Sequence, residues 1–249
     1  MAVATRAGRP EAPKIIPRPA RPLPWPLQFY RSAVGKKWIM ALTGLLLVGY
    51  IIFHALGNAK MYFGPEEVNE YGEALRDLGG HLAPRTHLLW ILRFGLFVAF
   101  ALHIVASFSL TRMNWKARPT KYQAARDYQV VTFAGRSMRW TSYIILVFLF
   151  IHLADLTWGW FNPDFVRGDV YGNVDASLSR WWMAGIYMIA MVALALHVYH
   201  GVFSMFQSLG LSNPYIQALR RPAAAVTALF VLVLNMSFPI AVLAGVIES

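Results

Sequence analysis

The chain of 249 residues is 57% hydrophobic and only 14% charged, carries a formal charge of +11, and has no cysteine. Soluble domains hold about 25% charged residues, so the composition argues against a soluble fold. The missing cysteines exclude disulfides, thiolate catalysis, iron–sulfur clusters held by this chain and Cys-type zinc sites. A basic balance brings nucleic acid to mind, but it must first be weighed against membrane topology.

Residues 1–30 contain seven of the fourteen prolines and five basic residues, without the compact apolar run of a signal peptide. Such a segment cannot build a core. It is expected to be an extended, polyproline-like basic tail, either a plain unstructured end or a strap on a soluble partner. Residues 31–249 are then expected to form one membrane domain.

A membrane helix needs about 20 mostly apolar residues. Five stretches qualify, at about 37–59, 87–111 (broken only by Arg93), 139–160 (with Asp155 near its far end), 181–207 and 222–247. Pro222 suits the first turn of the last helix, where no N–H is required, and Pro239 is expected to kink it. Trp38, Trp115, Trp140, Trp158, Trp160, Trp181 and Trp182 gather near span ends, as an interfacial aromatic belt does.

Lysine and arginine set the orientation. The segment to Lys37 holds 8, the stretch Arg112–Arg139 holds 7, and Arg220–Arg221 adds 2, against 5 on the opposite side (Lys60, Arg76, Arg85, Arg167, Arg180). The N-terminus is therefore expected inside and the C-terminus outside. Topology accounts for the charge, and nucleic acid is not expected as a partner.

Of the seven histidines, His54, His103, His152 and His197 lie well inside spans, one per helix, and His200 sits one turn beyond the last. Ionisable side chains at membrane depth are costly and mark function by default; a lone one is as readily an interhelical hydrogen-bonding group. Successive helices run in opposite directions. His54 and His152 thus fall near the outer face, and His103 and His197 near the inner one. Two imidazoles at each of two levels of a four-helix bundle suit a haem iron, which takes two axial ligands from opposite sides. A zinc ion wants three or four converging ligands. Without a CxxCH motif, such a haem is non-covalent, of type b. Gly44, Gly49, Gly57, Gly95, Gly185 and Gly201 leave room for a flat macrocycle or serve close helix packing.

The run Ser32-Ala-Val-Gly-Lys-Lys-Trp-Ile-Met-Ala-Leu-Thr-Gly44, with His54-Ala-Leu-Gly-Asn58, resembles the opening of the di-haem cytochrome b subunits of succinate dehydrogenases and fumarate reductases. His197-Val-Tyr-His-Gly201, continuing Ser204-Met-Phe-Gln207-Ser-Leu-Gly210, resembles their fourth helix. The resemblance runs from about residue 30 to the end; His103 and His152 match by position in their helices. It implies an all-α, five-helix membrane anchor, four helices binding two b-type haems, in a bacterial plasma membrane. The implied iron ligands are His54 with His152 at the distal, outer haem and His103 with His197 at the proximal, inner one. It favours His197 over His200 as ligand, leaving His200 either to bond a propionate or to pack as a satisfied polar group. Where some relatives carry a carboxylate two residues before the fourth ligand, this chain has Ala195.

By the same resemblance, the chain receives electrons from an iron–sulfur subunit, itself fed by a succinate-oxidising flavoprotein, both on the cytoplasmic side. It passes them to a membrane quinone, menaquinone rather than ubiquinone. Quinone reduction consumes protons, and the first outer loop offers Glu66, Glu67, Glu70, Glu73 and Asp77. Residues 66, 70 and 73 share one helical face, so a short amphipathic helix is expected. Glu70 and Glu73 are the candidate proton donors; the alternative is a solvated acidic face. Arg93 is a candidate partner for a distal propionate or for Asp155, or snorkels to headgroups. Two rival functions are the haem-b anchor of another quinone-linked dehydrogenase and a haem-free transporter or scaffold using the histidines as polar glue.

Overall fold

The computed structural model describes residues 23–117, 133–211 and 213–248. The tail before residue 23 and most of the basic loop after Ala117 lie outside them. Among the described residues the protein is all-α, with no strand.

The first helix, α1 (Trp25–Arg31), begins just behind Pro24, with Pro26 in its opening turn, where a missing N–H costs nothing. The end of the tail is therefore helical from Trp25, not extended. Its apolar residues have a surface to cover: Trp25 stacks on Phe29, and Phe29 meets Trp38 edge-on at 6.4 Å between ring centres. Ser32 joins two helices. Its hydroxyl donates to Phe29 O at 2.7 Å, closing α1, and accepts from Gly35 N at 2.9 Å, opening α2 (Ala33–Asn58).

A 3-10 turn over Ala59–Phe63 leads to α3 (Pro65–Arg76), the amphipathic helix expected from the acidic run, with Val68 buried and Glu66, Glu67, Glu70 and Glu73 exposed. Then come α4 (His87–Ala117), α5 (Phe133–Leu156), α6 (Val170–Leu178), α7 (Trp181–Ser208) and α8 (Pro214–Leu243). Five helices, α2, α4, α5, α7 and α8, are long and apolar enough to cross a membrane.

Span boundaries differ from the hydropathy reading where helices carry charge. The last helix starts at Pro214, capped by the Asn213 side chain, which accepts from Ile216 N at 2.8 Å. Pro222 thus lies inside it and not in its first turn. Arg220 and Arg221 belong to the helix, and Arg220 is buried. Its guanidinium donates to Phe203 O at 3.2 Å and lies over the Phe203 ring, and α7 shields the charge. Likewise α5 begins at Phe133 and ends at Leu156, four residues before the apolar run does. Its exit is fixed by Trp158, Trp160 and Phe161, whose N–H groups turn back onto Leu153 and Ala154 carbonyls.

The close helix pairs are α2 with α4, α5 with α7, α2 with α7, and α7 with α8. The first four helices therefore form an arc in the order α4–α2–α7–α5, with α8 laid against α7 and α2. Among the described residues, neither α2 and α5 nor α4 and α7 pack closely. The side-chain core lies toward one end, where Met61, Val68, Tyr171, Leu178, Met183, Phe238, Val242 and Ile247 join α3, α6, α7 and α8. Along the spans, large apolar side chains such as Phe53, Ile91, Phe97, Val147, Ile189 and Val233 face outward. Such a surface is compatible with a bilayer around the five helices.

Candidate functional site

Four imidazoles on four helices meet inside the arc as two couples. His54 on α2 and His152 on α5 have ring centres 5.9 Å apart at an interplanar angle of 82°. His103 on α4 and His197 on α7 have ring centres 6.4 Å apart at 58°. Each couple joins two helices that do not pack on one another, so the rings reach across the interior of the arc.

The couples lie at two levels. Thr43 touches His103, and Thr43 precedes His54 on α2 by 11 residues, about 16 Å along a helix. Ser142 touches His197 and precedes His152 on α5 by 10 residues, about 15 Å. Two independent helices give the same spacing. His103 sits near the middle of α4, because that helix runs on to Ala117.

The other partners of the neighbouring hydroxyls favour one tautomer for three of the rings. A hydroxyl has a single proton to give. Thr43 gives its proton to Ile39 O at 2.6 Å, so its oxygen accepts from His103 Nδ1–H at 3.1 Å. Ser142 gives its own to Met138 O at 2.7 Å and accepts from His197 Nδ1–H at 3.4 Å. The Tyr187 hydroxyl donates to Asp155 Oδ2 at 3.2 Å and accepts from His152 Nδ1–H at 3.3 Å. In each case Nε2 keeps its lone pair, and an imidazole held through Nδ1–H is the usual form of a metal-binding histidine. The fourth ring, His54, stacks on Tyr50 at 5.4 Å and 10°.

The spacing of each couple would suit a metal ion held by one nitrogen from each of the two imidazoles. A metal–nitrogen bond of about 2.0 Å, plus roughly 1.1 Å from nitrogen to ring centre, puts the two centres about 6 Å apart. Among the described residues no three His, Cys, Asp or Glu side chains converge as a metal cage. The donor set therefore suits an ion whose remaining ligands come from a macrocycle, as in haem. The glycines divide between two roles. A Cβ on Gly44 would crowd the His103 ring and one on Gly57 would strike Tyr71, but on Gly49, Gly95, Gly185 or Gly201 it would meet nothing within 4 Å. Close packing explains the first two and not the other four.

His200, one turn past His197, is half-buried, and its Nδ1 is buried without a hydrogen-bond partner. The carboxylates expected to serve protonation lie on α3. Glu70 is exposed, and Glu73 lies on the surface between Arg76 and Arg85. Arg93 is exposed over the Trp90 ring and does not pair with Asp155. That carboxylate, wholly buried, takes Arg180 at 2.8 Å and the Ser177 hydroxyl instead. Arg180 closes α6 onto α7 and lies directly over the end of α5, whereas Arg93 on α4 is on the far side of the arc.

Comparison with protein-family models, curated proteins and solved structures returns no match to this chain.

Proposed function

We propose that this protein is the membrane anchor and electron-transfer subunit of a succinate:quinone oxidoreductase, with two b-type haems held by His54 with His152 and by His103 with His197. The observation that carries the reading is the pair of histidine couples, with ring centres 5.9 and 6.4 Å apart at two levels of one bundle. Bound haem supplies one-electron redox chemistry; the chain supplies ligands, spacing and surroundings. Its helices hold both couples away from water. Thr43, Ser142 and Tyr187 would leave Nε2 of three rings free for the metal.

The excess of Lys and Arg on the N-terminal side supports an inside N-terminus. That side then meets the iron–sulfur and flavoprotein subunits, and the His54–His152 couple lies toward the outer face, where a quinone would be reduced. The resemblance of the His54 and His197 segments to di-haem anchors supports the succinate partner over other dehydrogenases.

The test is haem quantification and a reduced-minus-oxidised spectrum of the purified protein with its copurified subunits. Two b-type haems per chain and a covalent flavin in the complex are expected. Single replacement of His54, His103, His152 or His197 by Ala removes one or both haems. Absence of haem from the wild type, or retention of both haems by any of the four variants, counts against the reading.

A further inference from the structure

The two couples are backed differently. Around His103 and His197 the Nδ1–H groups meet the hydroxyls of Thr43 and Ser142, whose own protons go to helix carbonyls within the same turn. These are neutral, local contacts. Behind His152 stands a chain of side chains leading to a charge: Tyr187 on α7, then Asp155, which is wholly buried and three residues beyond His152 on α5. Asp155 is held from two other elements. Ser177 of α6 donates to Oδ2, and Arg180 donates to Oδ1 at 2.8 Å while also bonding Phe161 O and Ser177 O. A carboxylate fixed by three donors, in a protein interior, is a rigid acceptor.

We infer that Tyr187 and Asp155 are positioning residues for the outer couple, setting the orientation and donor strength of His152 and through them the redox potential of the metal held there. This rests on the haem reading proposed above. The physical reason is the polarity of the chain. The Tyr187 proton is committed to Asp155, so its oxygen is a stronger acceptor for His152 Nδ1–H. A ring that gives up part of that proton donates more electron density through Nε2. A richer ligand favours the oxidised, more positive ion. Arg180 occupies the far oxygen, Oδ1, and leaves Oδ2 facing Tyr187. The inner couple has no such charge behind either ring among the described hydrogen bonds, so the two sites are made unequal by one carboxylate.

The experiment is an optical redox titration of the purified complex, wild type against Tyr187→Phe and Asp155→Asn, with haem content measured on each sample. The outer component is the one lost in His152→Ala. Tyr187→Phe keeps the ring packing and leaves Asp155 with Arg180 and Ser177. It is expected to retain two haems and to shift the outer component toward the reduced form by about tenfold at fixed potential, about 59 mV upward for a one-electron couple. The inner component stays where it was. Asp155→Asn shifts the same component in the same direction.

In whichever variant keeps both haems, an unmoved outer potential overturns the inference. Loss of the outer haem from both variants also overturns it, because residues needed only for folding would do the same. A wild type without haem is a different failure: it removes the haem reading itself.

Discussion

Gly44 and His103 share one small space between α2 and α4: a Cβ built on the glycine would stand 3.3 Å from Cε1 of the imidazole. That is closer than an unstrained carbon contact, so the ring must give way to any larger residue. Gly44→Val is expected to displace His103 and remove the inner haem while leaving the outer one. Gly44→Ala asks for a shift of only a few tenths of an ångström and should keep both. Haem per chain, with the two spectral components resolved, distinguishes the variants.

Arg180 is the only cation bonded to Asp155 among the described residues. Removing one partner of a buried ion pair leaves the other charge uncompensated, a loss on the order of 3 kcal/mol. Arg180→Ala should therefore lower the thermal midpoint of the detergent-solubilised protein strongly, and Asp155→Asn combined with Arg180→Gln should recover part of the loss. A single variant as stable as wild type would show that the Asp155–Arg180 pair does not contribute to stability.

His200 and His197 are one turn apart, but only His197 pairs with a ring on another helix. His200→Ala is expected to retain both haems, whereas His197→Ala loses the inner one. The unpartnered Nδ1 of His200 makes a contact to bound haem available, so a modest change in the inner spectrum of His200→Ala is expected. Loss of a haem in His200→Ala with none lost in His197→Ala would reassign the ligand.

Glu70 and Glu73 lie on the exposed face of α3, Glu73 tied to two arginines. Exposed ion pairs contribute about 0–1 kcal/mol. Glu73→Gln should leave the thermal midpoint within a degree or two, and Glu70→Gln tests the candidate proton donor directly through quinone reduction by the complex. A fall in turnover in Glu70→Gln, at unchanged haem content, would assign the protonation role to that carboxylate.

Much of this arrangement is legible in the chain, for physical reasons. Length and hydropathy suffice for five spans because lipid demands uninterrupted helices. Counting residues along antiparallel helices places His54 beside His152 and His103 beside His197. Thr43 and Ser142, lying 11 and 10 positions ahead of a histidine on their own helices, carry no mark in the chain that sets them beside the other couple. What the chain hides is lateral. Whether Asp155 meets Arg93 or Arg180 depends on which helices are neighbours in the arc, and hydropathy carries no sign of that. Tyr187 reads as an ordinary aromatic in the second turn of α7 until that helix is seen beside α5. The helix starts at Phe133 and Pro214 are missed because buried or terminal arginines interrupt an apolar run without interrupting a helix.

Because each histidine couple joins helices that do not pack closely among the described residues, ions held there as proposed would work as cross-braces. The arc has α8 tying α2 to α7, but its α4 and α5 each pack along a single neighbouring span. Two struts at different heights, one from α2 to α5 and the other from α4 to α7, triangulate it. On the proposed haem reading, cells starved of iron or of porphyrin should make this protein in a looser form that membrane proteases clear, so that metal insertion would double as quality control.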